Sequence, residues 1–465
     1  MEKHKLVFVG FGSLGDVVPL LAVAVHMQAD GHHVMFLANE YFKDFIEQRG
    51  VKFQPIGTIA DQLAAKESEQ STGESKEGRA HRFDRIIGRS FEPAFRYLKG
   101  LVDAGIRPVV ISHGNLSPAV FACEAFGLPT IMTYYSPSHI PHNDEDAIQF
   151  FAHQGKNAWF LRHIRIPFQK WMQRIHFDVK DEYNGYRIQC GLPPLPGLLR
   201  TVWNSITRKR IRIGVRIGKR IALLPGWFCE PIDKNLADVK FVGFPFLDSS
   251  TAALDGEIER FLASHPRPIV FTPGTAVEDV RDLCAQIVPI CRKVGSPAIF
   301  VSKHGRAAFD AIPKVDDVQM LFVEHADFGS LLPKARCLIH HGGIGTVAQA
   351  IRAGIPQIVR PRMYDQPANG LRVMMFGLGG SLAPTHFNPN TVARALLHIE
   401  NSPLHKERIP YYSNLVRQES GAENCAREIE SFLQELGREQ RAKTSEKLDG
   451  GHACSPTEGG GEALA

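Results

Sequence analysis

The stretch His340-His341-Gly342-Gly343-Ile344-Gly345-Thr346 and, one apolar run later, Tyr364-Asp365-Gln366-Pro367-Ala368-Asn369 contain the residue types best suited to chemistry. The run Cys337-Leu338-Ile339 reads as the end of a buried parallel strand, and 346–353 has helix-forming composition, so the glycines fall at a strand-to-helix turn. Backbone N–H groups at such a turn point at an anion, and the helix dipole reinforces them. Histidine adds a ring donor aimed at a diphosphate. The Asp-Gln pair, placed after the next apolar run Gln357-Ile358-Val359, suits the vicinal hydroxyls of a hexose. A diphosphate beside a hydroxyl-rich ring is a nucleotide sugar.

Two readings compete for the glycines near the start. Gly10-Phe11-Gly12-Ser13-Leu14-Gly15 matches a dinucleotide fingerprint between a strand and a helix, with Glu40 beyond the next strand as a ribose-binding acid. Glu40 is too far along the chain for the usual spacing, and no hydride site accompanies it. A tight turn that lets another molecule approach the helix start is the better reading, with Gly12 and Ser13 on the acceptor side. Asp16 follows the turn. It is either a helix cap, which would contribute about 0.5–2 kcal/mol, or a general base that takes the proton of an attacking hydroxyl, an effect of roughly 10²–10⁴-fold.

His340 and His341 are adjacent on a strand and so point to opposite faces, which argues against one shared metal ion. No metal and no cofactor is expected. Gly342, Gly343, Gly345 and Thr346 supply N–H groups and a hydroxyl to the diphosphate. Thr275, in Thr272-Pro273-Gly274-Thr275, sits at an equivalent strand end and is either a further diphosphate contact or part of an ordinary turn. Asp365 and Gln366 read as sugar ligands or, in the plainer alternative, as a helix start.

These stretches resemble the donor-binding signature of the inverting glycosyltransferases that include antibiotic, sterol and plant natural-product enzymes. Within the family the likeness is strongest to the rhamnosyltransferases of rhamnolipid synthesis. It rests also on Gly12-Ser13-Leu14-Gly15-Asp16-Val17, Pro225-Gly226-Trp227-Phe228, Gly243-Phe244-Pro245 and Ser330-Leu331-Leu332-Pro333, and covers roughly residues 5–435. The resemblance implies Asp16 as base, three residues before Pro19, and His340 as diphosphate ligand, with His341 packing or facing solvent. It also implies Asp365 and Gln366 as donor-sugar ligands, His325 at the donor base, and an acceptor pocket that includes Trp159 and Phe160 together with Trp171 and Phe177. The ribose-binding Glu of the plant enzymes is replaced by Ala348, so ribose must be read elsewhere. The implied donor is dTDP- or UDP-linked, dTDP-rhamnose above all, and the implied acceptor is a hydroxylated hydrophobic molecule such as a hydroxyacyl lipid.

The elements that must position these residues follow from composition and period. At 465 residues, with 44% hydrophobic and 22% charged residues, the chain can fill two cores. A βαβ beginning at 5–10, 17–30 and 33–38 predicts a doubly wound parallel sheet, and a second alternating run starts at 268. The expected fold is therefore α/β, with two Rossmann-like domains facing across a cleft, the GT-B arrangement. The boundaries are 1–235 for the acceptor domain, 236–403 for the nucleotide-sugar domain, 404–436 for a helix crossing back, and 437–465 for a disordered tail. A linker is expected at 231–250, and 58–79 reads as a mobile excursion.

The eight cysteines lack paired metal-like spacing and read as reduced thiols in a cytoplasmic chain without a signal peptide. No apolar run approaches the roughly 18 residues needed to span a bilayer, so membrane contact would be peripheral, at the inner face of the cell membrane. The basic run 208–220 reads as a solvated surface with an apolar inner face, or as a contact for anionic lipid or an acidic acceptor. A net charge of +5 without a recognition motif argues against nucleic acid. The function expected is transfer of a hexose or deoxyhexose to a hydroxyl of a hydrophobic acceptor. The alternatives are a sterol or polyketide glucosyltransferase using UDP-glucose, a Rossmann NAD/FAD oxidoreductase, and a non-catalytic nucleotide-sugar-binding subunit.

Overall fold

The computed structural model describes residues 3–72, 81, 83–114, 117–137, 140, 180–194, 217–229, 238–247, 254–274, 280–313, 315–362 and 365–449. Thr275, Trp159, Phe160, Trp171, Phe177, Tyr364, residues 208–216 of the basic run and residues 450–465 lie outside them.

Two parallel sheets organise the chain. The first contains β1 (Lys5–Val9), β2 (His33–Asn39), β3 (Lys52–Gly57), β4 (Val109–His113), β5 (Thr130–Tyr134), β6 (Ile217–Ala222) and β7 (Val239–Phe241), in the order β3-β2-β1-β4-β5-β6-β7. The second contains β8 (Ile269–Thr272), β9 (Ala298–Val301), β10 (Met320–Val323), β11 (Cys337–His340), β12 (Gln357–Val359) and β13 (Gly379–Ser381), in the order β10-β9-β8-β11-β12-β13. Both are doubly wound α/β sheets, as the alternating pattern predicts.

Their strands are near-continuous apolar runs because both faces are covered. Leu6 and Phe8 of β1 pack with Val17, Leu20 and Leu21 of the helix Leu14–Ala29, while Val7 and Val9 pack with Ala94 and Leu98 of the helix Phe91–Asp103. The second sheet repeats the arrangement, with Ile269 and Phe271 on one face of β8 and Val270 on the other. In each sheet the strand order reverses once, between β1 and β4 and between β8 and β11. Loops at the carboxyl ends of strands beside such a reversal form a crevice. Phe11-Gly12, Gly114, Pro273-Gly274 and His341-Gly342 all occupy those ends.

Several boundaries differ from expectation. The segment 231–250 is not all linker: Val239-Lys240-Phe241 pairs with β6 and completes the first sheet, so that sheet extends past 235. Three residues are too few for a period to show in the letters. The excursion at 58–79 contains the helix Ile59–Thr72, in which Asp61 and Gln62 are buried. Its Ala, Glu, Gln and Lys are good helix formers, so polarity alone misleads. The basic run ends inside β6, where Lys219 pairs with Glu428 at 2.7 Å and Arg220 with Asp238 at 2.6 Å.

The C-terminal segment is two helices. Pro403–Gln418 stays on the second half, where Ser413 donates to the Arg352 carbonyl at 2.9 Å. Gly421–Asp449 lies against the helix Leu14–Ala29 and β6, with Cys425, Ile429 and Phe432 in the first core. Asn424 donates to the Val242 carbonyl at 2.9 Å, and Glu430 meets His32 at 2.5 Å. This helix continues to Asp449, into the stretch expected to be a disordered tail, because charged residues such as Arg438, Glu439 and Arg441 propagate a helix as readily as they solvate a coil. Trp227 joins the two halves from the other side, 4.3 Å from Tyr412 and 5.4 Å from Phe376, centroid to centroid. Among the described residues no helix is long and apolar enough to cross a membrane.

Candidate active site

On the first sheet the site is built at the ends of β1, β4 and β5. Gly12 has φ +95°, a conformation that favours glycine, and a Cβ there would strike the Asp16 carboxylate. Ser13 then caps the helix Leu14–Ala29: its hydroxyl accepts from the Gly15 N–H, and the Asp16 carboxylate receives the Ser13 N–H at 2.5 Å and the Ser13 hydroxyl at 2.8 Å. Asp16 is thus a cap, as its plainer reading holds. Its half-buried carboxylate also lies close enough to Tyr135, the residue after β5, to act on that side chain electrostatically. Tyr135 stacks on His113 with centroids 3.5 Å apart, and Phe11 flanks His113 at 6.1 Å. Gln62 donates to the Gly12 carbonyl at 2.8 Å and fastens the helix Ile59–Thr72 to the glycine turn.

The second sheet contributes the ends of β8, β11 and β12. Gly343 begins the helix Ile344–Ala353 without a side-chain cap, so the helix N-terminus carrying Gly345 and Thr346 is open to an anion. Asn369 ties the two sequence motifs together: its amide donates to the Gly342 carbonyl at 3.0 Å and to the Asp365 carboxylate at 2.8 Å. Gln366 accepts the Arg362 N–H at 3.0 Å and opens the helix Gln366–Met375, so the Asp-Gln pair is a helix start as well.

The two histidines sit in different surroundings. His340 is fully buried, its Nδ1 accepts from the Gly342 N–H at 3.1 Å, and its Nε2 lies 3.0 Å from the Gln357 side-chain oxygen. Nε2 therefore carries the proton, and both ring nitrogens are engaged inside the domain. Burial pushes its pKa down to about 3, with a smaller contribution from His341. A ring held in this way is a poor diphosphate ligand and a good brace for the glycine turn. His341 instead reaches the cleft. Its ring is wedged between Gly274 and Gly343, its edge is partly exposed, and its Nδ1 has no hydrogen-bond partner. Burial holds His341 down, to about 4, against an upward pull from Asp365. Pro273, Arg360 and Arg362 line the same recess, and Arg360 is anchored by Asp282.

Charges of both halves act on Tyr135. Its hydroxyl is pushed well above the ordinary tyrosine range by burial first, then by the charge of Asp16, and then by the charge of Asp365 from the other domain. Asp16, Tyr135, Asp365 and His341 therefore form one electrostatic neighbourhood across the cleft. His325 is not brought into it; it is exposed past the edge strand β10. Tyr135, His113, Gln62, Arg360 and Asn369 are site residues that motif spacing does not mark. The usable signal was position, since Tyr135 and His113 end strands beside the reversal.

Comparison with known proteins agrees with this geometry. Residues 6–133 match the glycosyltransferase family 28 N-terminal domain, and residues 299–436 match the erythromycin biosynthesis protein CIII-like C-terminal domain. The glycosyltransferase GtfC of Amycolatopsis orientalis is 26% identical over 80% of this chain and 84% of its own. A sterol 3-beta-glucosyltransferase of Saccharomyces cerevisiae (strain YJM789) is 22% identical over 93% of this chain, which spans 35% of that longer protein. The crystal structure of the glycosyltransferase VinC in complex with DTDP superposes with a TM-score of 0.62 at 16% identity, covering 92% of this chain and 100% of that one. The chain belongs to the nucleotide-sugar-dependent glycosyltransferases of the two-Rossmann-domain GT-B fold, alongside antibiotic and sterol glycosyltransferases.

Proposed function

We propose that the protein is an inverting glycosyltransferase that moves a hexose or deoxyhexose from a nucleoside-diphosphate sugar to a hydroxyl of a hydrophobic acceptor. The observation that supports this reading is the pair of glycine turns at strand ends, Gly12–Asp16 after β1 and His341–Thr346 after β11, each opening a helix beside the reversal of its sheet. In one displacement the acceptor oxygen attacks the anomeric carbon, its proton passes to Asp16, and the bond from that carbon to the diphosphate oxygen breaks. The open N-terminus of the helix Ile344–Ala353, with His341 and Arg360, stabilises the charge gathering on the leaving group without a resident metal ion or cofactor. Asp365 and Gln366 hold the sugar hydroxyls.

A thymidine diphosphate donor is favoured by the likeness to VinC, whose structure contains DTDP. Rhamnose as the sugar and a hydroxyacyl lipid as the acceptor rest on the resemblance to the rhamnolipid enzymes. UDP-glucose and a sterol or polyketide acceptor form the second reading, favoured by the sterol glucosyltransferase that matches nearly the whole chain.

The test is a thermal-shift panel of dTDP-rhamnose, dTDP, UDP-glucose, UDP and NAD, followed by proton NMR of the product formed with a hydroxyacyl acceptor. A ligand that binds only the native state raises apparent stability by RT ln(1 + [L]/Kd), so the true donor stands out. Stabilisation by a nucleotide sugar and a product of inverted anomeric configuration are expected. Stabilisation by NAD alone, or a retained configuration, would overturn the reading.

A further inference from the structure

We propose that Gln62 is a positioning residue for the base: by donating to the Gly12 carbonyl it fixes the peptide plane whose N–H holds the Asp16 carboxylate, and so keeps that carboxylate aimed at the acceptor hydroxyl. The inference deepens the proposed function and rests on Asp16 being the base.

The Gly12 carbonyl and the Ser13 N–H are the two ends of one planar unit. Gln62 donates to the first at 2.8 Å, and the second donates to Asp16 Oδ2 at 2.5 Å. Neither bond belongs to the ladder of the helix Leu14–Ala29, which starts one residue later with the Asp16 and Val17 N–H groups on the Ser13 carbonyl. The plane follows a glycine at φ +95°, where no side chain limits its rotation, so a grip on its carbonyl end keeps its N–H pointed. A carbonyl that accepts a bond also makes the N–H of the same unit a stronger donor. A general base is effective only within hydrogen-bond reach of the proton it takes, so the direction in which this N–H holds the carboxylate bears on the rate.

Capping the helix needs only Ser13 and Asp16, which share one turn. Gln62 lies 50 residues beyond Gly12, on the helix Ile59–Thr72, and is buried. A carbonyl oxygen only accepts, so the amide nitrogen of Gln62 is the end that faces it. The start of its helix is fixed from several sides. Thr58 donates its hydroxyl to Asp61 Oδ2 at 2.7 Å, while Arg85 and Arg89 donate to Asp61 Oδ1 at 2.9 and 3.1 Å. Asn39, the last residue of β2, donates to the Thr58 carbonyl at 2.9 Å. Of two adjacent buried residues, Asp61 thus anchors the helix to its surroundings and Gln62 carries that fixity to the glycine turn.

The experiment compares the full chain with Gln62→Met, Asp16→Asn and the double variant, reading kcat and donor Kd. Methionine keeps the length and burial of the side chain and removes its donor. Gln62→Met should lower kcat about ten-fold and leave donor Kd unchanged. In the Asp16→Asn background it should cost nothing further, because no base is then left to aim. A residue that only fastened the helix would impose the same loss with or without Asp16. If Gln62→Met accumulates poorly, Gln62→Asn, whose amide is drawn back from Gly12 by one methylene, should show the same pattern. Parental kcat in the Gln62 variant, or an equal loss in both backgrounds, while Asp16→Asn is impaired, overturns the role of Gln62 and leaves the base intact. Normal turnover in Asp16→Asn overturns both.

Discussion

The Nε2 of His340 lies 3.0 Å from the side-chain oxygen of Gln357, in the interior of the second domain, while the neighbouring His341 is half-buried, its Nδ1 covered and without a hydrogen-bond partner among the described residues. The proposed division of the pair is a brace, His340, and a ligand, His341. His340→Ala strands the Gln357 oxygen and the Gly342 N–H, and each buried group left unpaired costs about 1–3 kcal/mol. Its thermal midpoint should fall clearly, and donor binding should fall only as far as the turn loosens. His341→Ala should leave the midpoint close to the parent and raise the Kd of nucleoside diphosphate about ten-fold, the loss of one good hydrogen bond to a charged group. Calorimetry and thermal melts on both variants decide it; the reverse pattern would return the diphosphate to His340.

What the sequence shows and what it hides follow from the range of the interactions. The ten-letter neighbourhood of His340 announces a strand, a turn and a helix, because those depend on residues close in the chain. Which of two adjacent histidines looks into the cleft depends on Gln357 and on Gly274, neither of which is near in sequence. Asp16 could be singled out for the same reason that its cap could: Ser13, Gly12 and Asp16 are one turn. Tyr135 could not, since its place against His113 arises only when β5 pairs with β4. The strand Ile217–Ala222 reads in the sequence as the end of a basic surface, because Lys219 and Arg220 find their partners, Glu428 and Asp238, elsewhere in the chain.

Asp365 is joined to the glycine turn through Asn369. Asp365→Ala should therefore weaken a nucleotide sugar by about 1.5–3 kcal/mol, the scale of hydrogen bonds to a charged group, and leave the free nucleoside diphosphate nearly unaffected. Titration calorimetry with the two ligands reads the difference directly. An equal loss for both would place Asp365 at the diphosphate, or show that the turn itself had moved.

Gly274 offers a way to displace His341 without altering it. Gly274 has φ +89°, and a Cβ there would lie 2.4 Å from the His341 ring. Gly274→Ala is strained in its backbone and pushes the ring out of the wedge it shares with Gly343. Diphosphate affinity should drop at least as far as in His341→Ala, and the double variant should be no weaker than Gly274→Ala alone. Additive losses in that double-mutant cycle would mean that the two residues act separately.

The buried His340 ring also makes stability depend on pH with a definite sign. Its folded pKa is depressed to about 3 by burial, against an ordinary value of 6.5 in the unfolded chain. Between those values the unfolded chain binds a proton that the folded chain refuses, so stability rises with pH through this window. The contribution is complete above the unfolded value and is lost as pH falls toward the folded one, at a slope of at most about 1.4 kcal/mol per pH unit. His341, held down to about 4, adds a contribution of the same sign. The carboxylates whose pKa values are lowered, Asp61, Asp317 and Glu400, titrate below the upper part of this window. His405, also held down by burial, adds to the same trend between pH 7 and pH 5, and Glu419, whose carboxyl burial raises, opposes it, so the variant is compared with the parent across those two conditions. The parent's thermal midpoint should fall between those two conditions, and His340→Gln, though less stable at both, should fall by less. An undiminished fall in His340→Gln would show that His340 is not the ring whose protonation opposes folding.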